Sequence, residues 1–158
     1  MLNIAIREAA EADAAILLEV EQAAFAVYQA ILDPPPSVFR ETPEVIRQKM
    51  AHGIFLAAWG MDQIVGMVFY QRNDDHVYLG RLCTLPAWQG YGVARTLMQI
   101  VEERAVQLGM PVVQLGVRLA LPQLIATYQR YGYQIVAERC HPGYVNPTFV
   151  TMQKRLVG

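Results

Sequence analysis

The stretch TLPAWQGYGVARTLM, residues 84–98, sets glycines on both sides of a tyrosine just where helical spacing of apolar residues begins. Ser, Thr, Asp or Asn would cap such a helix more favourably. Gly90 and Gly92 therefore point to a sharp turn, or to something that must approach the backbone closely. A strand, a glycine turn and a helix in that order expose unpaired N–H groups with the positive end of the peptide dipoles behind them, an arrangement suited to phosphate. A Walker loop would require Lys-Ser or Lys-Thr after the second glycine, and a dinucleotide fingerprint would require glycine or alanine at position 95. Here the text is Val93-Ala94-Arg95, which fits neither.

Downstream of the turn, Val93, Leu97, Ile100, Val101 and Leu108 fall on one helix face, which Gly109 and Pro111 bring to an end. Upstream, Asn3–Arg7 alternates like a strand. From Glu11 the residues Ile16, Leu17, Val20, Ala24, Val27 and Ile31 predict one long amphipathic helix, broken by Pro34-Pro35-Pro36. Thr42-Pro43-Glu44 opens a second helix that runs to Ala51. Ile54–Trp59 and Ile64–Tyr70 read as a hairpin, and His76–Thr84 as the strand that feeds the glycine turn. Val112–Val117 is a further strand, Pro122–Tyr131 a short helix ended by Gly132, and Tyr133–Arg139 and Thr148–Lys154 close the chain as strands. The order βααβββαβαββ predicts an α/β (α+β) fold, a mixed sheet flanked by helices, in one domain over residues 1–158.

Composition narrows the function. The 158 residues are 54% hydrophobic and 17% charged, which argues against disorder, and no apolar run is long enough for a membrane span. Arg7, Glu8, Glu11 and Asp13 interrupt the N-terminal region where a signal peptide would be continuous, so a cytoplasmic location is expected. A formal net charge of -1 gives no electrostatic footprint for nucleic acid. Cys83 and Cys140 lack CxxC spacing, and His52, His76 and His141 are scattered, so neither a disulfide framework nor a metal site is expected.

The segment Leu82–Ala94 resembles the coenzyme-A-binding segment of the GNAT superfamily of acetyl-CoA-dependent N-acetyltransferases. There, a strand ending in aliphatic-X-proline precedes (Arg/Gln)-X-X-Gly-X-(Gly/Ala), matched here by Gln89, Gly92 and Ala94. Thr127-Tyr128-Gln129-Arg130-Tyr131-Gly132-Tyr133 is similar to the family's second signature, a helix that carries a tyrosine and ends in Gly-(Phe/Tyr). The order of elements is also similar.

The resemblance implies a mostly antiparallel sheet splayed between its fourth and fifth strands, with helices on both faces. The backbone of Leu82, Cys83 and Thr84 would pair with the pantetheine arm. The turn Gln89, Gly90, Tyr91, Gly92, Val93, Ala94 and Arg95 would hold the pyrophosphate of acetyl-CoA; the Arg95 side chain reads equally as a phosphate contact or as a solvated residue. Tyr128 would be the general acid: a phenol of pKa ~10 keeps its proton at neutral pH, whereas a leaving thiolate of pKa about 8.5 can take one. Leu124, Tyr128 and Tyr131 also read as a core stripe. Phe25, Tyr28 and Tyr144 would wall the acceptor pocket or serve as packing, and His141 is a candidate base ahead of Glu138 and His76. Leu121 stands where many family members have asparagine. The implied acceptor is a small-molecule or peptide amine, and dimers are frequent among similar proteins. A non-catalytic acyl-CoA-binding module is the alternative.

Overall fold

The computed structural model describes residues 3–156. Its elements are β1 (Ala5–Glu8), α1 (Ala14–Phe25), α2 (Pro43–Met50), β2 (Ile54–Gly60), β3 (Gln63–Arg72), β4 (Val77–Thr84), α3 (Val93–Gln107), β5 (Val112–Arg118), α4 (Pro122–Arg130), β6 (Gln134–Arg139) and β7 (Phe149–Arg155). This is the order read from the sequence. The strands form one sheet in the order β1-β2-β3-β4-β5-β7-β6. Only β4 and β5 run parallel, as the α3 crossover requires. Among the described residues no helix is long and apolar enough to cross a membrane.

Alternation along β2 divides the core between the two faces. Phe55 and Ala57 pack with Leu17, Ala24 and Ile46 of α1 and α2, whereas Leu56 and Ala58 join the cluster of Leu97, Val101 and Tyr128 from α3 and α4. Leu97 is fully buried, so truncating it to alanine would cost ~2–5 kcal/mol, the usual range for a core leucine.

The long first helix is corrected. α1 stops at Phe25, a 3-10 turn follows over Ala26–Tyr28, and Ile16, Val27 and Ile31 are 46%, 65% and 59% exposed. Ile16 lies within α1 but on its exposed side, whereas Val27 and Ile31 fall after Phe25, where the helical period ceases to apply ahead of the prolines, which lack the N–H to continue a helix. Leu32 and Val38, beyond α1, are buried instead. Leu108 lies past the end of α3 and is 39% exposed.

β4 has two different halves. Val77 pairs with Val113 and Tyr78 with Gln114, but no residue from Leu79 to Thr84 pairs with β5. On its other side β4 continues to pair with β3 as far as Thr84, through a bulge: Gly80 opposes Phe69 and Cys83 opposes Met67, so Arg81 and Leu82 together face Val68. Arg81 takes φ 56°, a left-handed conformation that costs a non-glycine residue ~1–3 kcal/mol and persists only where its surroundings hold it.

Candidate active site

Where β4 and β5 part, two cavities open and meet. One, of about 500 Å³, runs along Leu82, Cys83 and Thr84 to Gln89, Gly90, Gly92, Val93, Ala94 and Arg95. The other, of about 310 Å³, lies between α1, the bulge of β4, the end of β5 and the start of α4. Phe25, Tyr28, Leu82, Leu124 and Tyr128 line both.

The first groove is built mainly of backbone. Gly92 is the N-cap of α3 at φ 81°, and Gly90 has φ 85°; a Cβ on either would point into open space. No side chain caps α3, which leaves the amides of its first turn free. The glycine pair thus turns the chain so that these amides face the groove. Gln89 has a structural task as well, since its side-chain amide donates to the carbonyl of Thr84 at 3.1 Å and ties the turn to the strand. Arg95 lies over the Tyr131 ring at 4.7 Å, at the edge of the groove. Tyr91 departs from expectation: it is 65% exposed and does not line the groove.

A linear ligand with amide groups and a diphosphate fits these features. The edge of β4 is unpaired, the amides of α3 are uncapped, and the hydroxyl of Thr84 is buried without a hydrogen-bond partner. Cys83 is no nucleophile, because burial pushes its thiol well above the ordinary range and keeps it protonated.

Tyr128 projects from α4, which Pro122 initiates, and its ring meets Tyr133 edge-on at 6.0 Å. Burial first, then the neighbouring Tyr28, Tyr131 and Cys83, push its phenol up to about 12. It therefore stays protonated across the physiological range. Delivering that proton fully to a thiolate of ordinary pKa ~8.5 would be uphill by several pKa units, so its natural contribution is a hydrogen bond to developing negative charge.

Three charged residues in the acceptor cavity escaped the sequence reading. The bulge aims Arg81 at α1 and at the segment just before α2, where its guanidinium donates to Glu21 at 2.9 Å and to Glu41 at 2.6 Å respectively. Glu41 is desolvated, yet the Arg81 hydrogen bond and charge hold its carboxyl below the usual range. Glu21 is deeper, and there desolvation outweighs Arg81, raising it to about 7. Arg118, at the end of β5, is the third. No local motif flags a glutamate inside an amphipathic helix as buried; the one signal was its position among Leu17, Val20 and Ala24 on the buried face.

His141 also lines this cavity, but its Nδ1 is engaged with the hydroxyl of Thr148. Burial and then the Arg118 charge lower its pKa. Tyr144 does not line the cavity as expected. Its hydroxyl instead donates to the Asp33 carboxylate, joining the 140–147 turn to the loop after α1. Leu121 is buried and lines the acceptor cavity. His76 sits beside Asn73 and Asp75 at the paired end of β4, and Glu138 is exposed on β6. Neither reaches the cavities.

Comparison with solved structures places this architecture among N-acetyltransferases. The PaiA N-acetyltransferase of Thermoplasma acidophilum, in complex with coenzyme A, superimposes with a TM-score of 0.82 at 17% identity, covering 98% of this chain and 99% of that one. The ribosomal-protein-S18-alanine N-acetyltransferase of Escherichia coli gives 0.79 at 16% identity, over 99% and 97% of the two chains. A GNAT acetyltransferase of Elizabethkingia anophelis with acetyl-CoA bound gives 0.71 at 17% identity, over 98% and 99%. No curated protein matches the chain. The model of the acetyltransferase (GNAT) family matches residues 5–133, which takes in the splayed strand, the glycine turn and Tyr128. The chain belongs to the GNAT family of acetyltransferases, enzymes that use acetyl-CoA.

Proposed function

We propose that this protein transfers an acetyl group from acetyl-CoA directly to the amine of a small-molecule acceptor, both substrates being bound at once by a single domain. The observation that carries the reading is the junction of the two cavities at Tyr128, which lines both. Acetyl-CoA supplies the activated acyl thioester. Leu82, Cys83 and Thr84 would offer a free strand edge to its amide-bearing arm, and the amides of Gly90 and of Gly92 to Arg95 would hold its diphosphate. Tyr128 donates a hydrogen bond toward the departing sulfur. An acceptor amine of pKa ~10.4 arrives protonated and must lose a proton before it can attack. Glu21, with its carboxyl near 7, is better matched to that task at neutral pH than His141, whose pKa is lowered and whose Nδ1 is engaged. Phe25 and Tyr28 line the junction and shield the reacting atoms from water.

The test is thiol release from acetyl-CoA across a panel of alkylamines, amino acids and peptides. At least one acceptor class should raise it well above the rate of hydrolysis, and Tyr128→Phe should lower turnover by ~10²-fold with little change in cofactor affinity. Tight cofactor binding with no acceptor-dependent release would leave a binding module in place of an enzyme.

A further inference from the structure

Arg118 stands apart from the other charged groups of the acceptor cavity. Arg81, on the opposite wall, is saturated by Glu21 and Glu41. Arg118 is half-buried at the end of β5, lines the cavity, and forms no ion pair among the described residues. Removing a guanidinium from water without a paired anion is costly, and desolvation lowers the Arg118 pKa accordingly. The nearby groups do not satisfy it. Tyr144 and Asp33 favour its charge in smaller measure, but among the described residues the Asp33 carboxylate lies beyond ion-pair reach of it, and burial and the Arg118 charge disfavour the charged form of His141, which lines the same cavity. The cavity thus has two unlike walls. On the α1 and β4 side a carboxylate faces the space; on the β5 side a lone cation does. The rest of the lining includes apolar side chains, Leu32, Val38, Leu79, Val117 and Leu121.

We infer that the acceptor is an amino acid with a free carboxylate, which Arg118 holds while the amine lies toward Glu21 and Tyr128 and an apolar remainder fills the space between. The inference rests on the transferase reading and adds the acceptor class to it. Guanidinium and carboxylate match in charge and in planar, two-pronged donor geometry. A simple alkylamine, or a peptide whose α-carboxyl has become an amide, leaves the Arg118 guanidinium desolvated without its counter-ion, and selection against such acceptors follows from that cost. A cavity of about 310 Å³ is also sized for a small molecule.

The experiment compares acceptors with and without the carboxylate: leucine with leucinamide, whose amine is also less basic, and 6-aminohexanoate with its amide, whose amine is nearly unchanged. At least one carboxylate should exceed its amide by tenfold or more in kcat/KM. Arg118→Gln should erase that preference chiefly through KM and leave the affinity for acetyl-CoA within twofold, whereas Arg118→Lys should keep part of it. A parallel arm needs no turnover. Binding of N-acetylleucine and 6-acetamidohexanoate, each against its amide, is measured calorimetrically on the coenzyme-A-loaded protein, with thermal melting to verify the fold of each variant. Carboxylate-selective binding that Arg118→Gln abolishes in a folded protein upholds the anchor even if no acceptor reacts, in which case the transferase reading alone fails. Equal binding of carboxylate and amide in both pairs, or a preference that persists in Arg118→Gln, overturns it.

Discussion

The two cavities that meet at Tyr128 are built on different principles. The cofactor groove is assembled from consecutive main chain, the open half of β4 and the turn at 89–95, and its recognition elements are amides and glycine conformations. The acceptor cavity is assembled from side chains that converge from α1, the loop after it, the β4 bulge, β5, α4 and the 140–147 turn. A groove of backbone can serve any member of a family with the same cofactor, because it asks little of side-chain identity. A cavity of convergent side chains sets what is selected, and it can change one residue at a time.

The largest expected difference between them concerns proton removal. Glu21→Gln keeps the size and the polar contact to Arg81 but removes the base. Turnover should fall by ~10²-fold, the usual contribution of a positioned general base, with acetyl-CoA binding unchanged. The sign of the pH dependence follows from its carboxyl near 7: the group is protonated and inactive below that pH, so kcat/KM should decline about tenfold per unit as pH falls under 7 and level off above it. The variant should lose this limb. A limb that survives in Glu21→Gln would assign the titration to another group.

The complementary break lies in the groove. Gly92→Val forces a β-branched residue into φ 81°, at a cost of ~1–3 kcal/mol that the turn can relieve by abandoning its present geometry. Affinity for coenzyme A should fall by about tenfold or more, while the acceptor KM, extrapolated to saturating cofactor, stays constant. Isothermal titration and initial-rate kinetics separate the two. Arg95→Ala tests a smaller contribution. The guanidinium lies on the Tyr131 ring at the groove's edge, and losing one exposed contact to a phosphate should weaken coenzyme A by a few-fold, more at low salt than at high salt.

This division also governs what could be read from the sequence. The glycine turn and Tyr128 each lie in a short segment that resembles a family motif, and the open strand was implied by that resemblance; apolar periodicity and turn residues located the strands and α-helices in order, though not where α1 ends. The acceptor cavity was legible only in part. Phe25, Tyr28 and His141 line it, but Glu21 and Arg81 are 60 positions apart and become neighbours only through a bulge, and Arg118 reaches the same cavity from the opposite wall. That bulge rests on a left-handed arginine, a conformation that composition does not announce. Tyr144 was misread for a related reason: its partner, Asp33, is 111 residues away, and the pairing turns a candidate wall residue into a link between two loops.

The smallest predicted effect is the most discriminating about the groove. The hydroxyl of Thr84 is buried with no partner, although its backbone carbonyl accepts from Gln89. An unsatisfied buried hydroxyl costs ~1–3 kcal/mol, so Thr84→Val, which preserves shape, should leave the free protein as stable or slightly more stable. If that hydroxyl is kept for the cofactor, the same substitution should weaken coenzyme A by a few-fold, and the opposite signs distinguish a ligand-binding role from a packing role. Thermal melting with and without coenzyme A reads both quantities in one experiment. The increment that saturating ligand adds to Tm should shrink in the variant while the Tm of the free protein does not fall. An undiminished increment would mean that recognition along this half of β4 is carried by main chain alone, the pure form of the contrast between the two cavities.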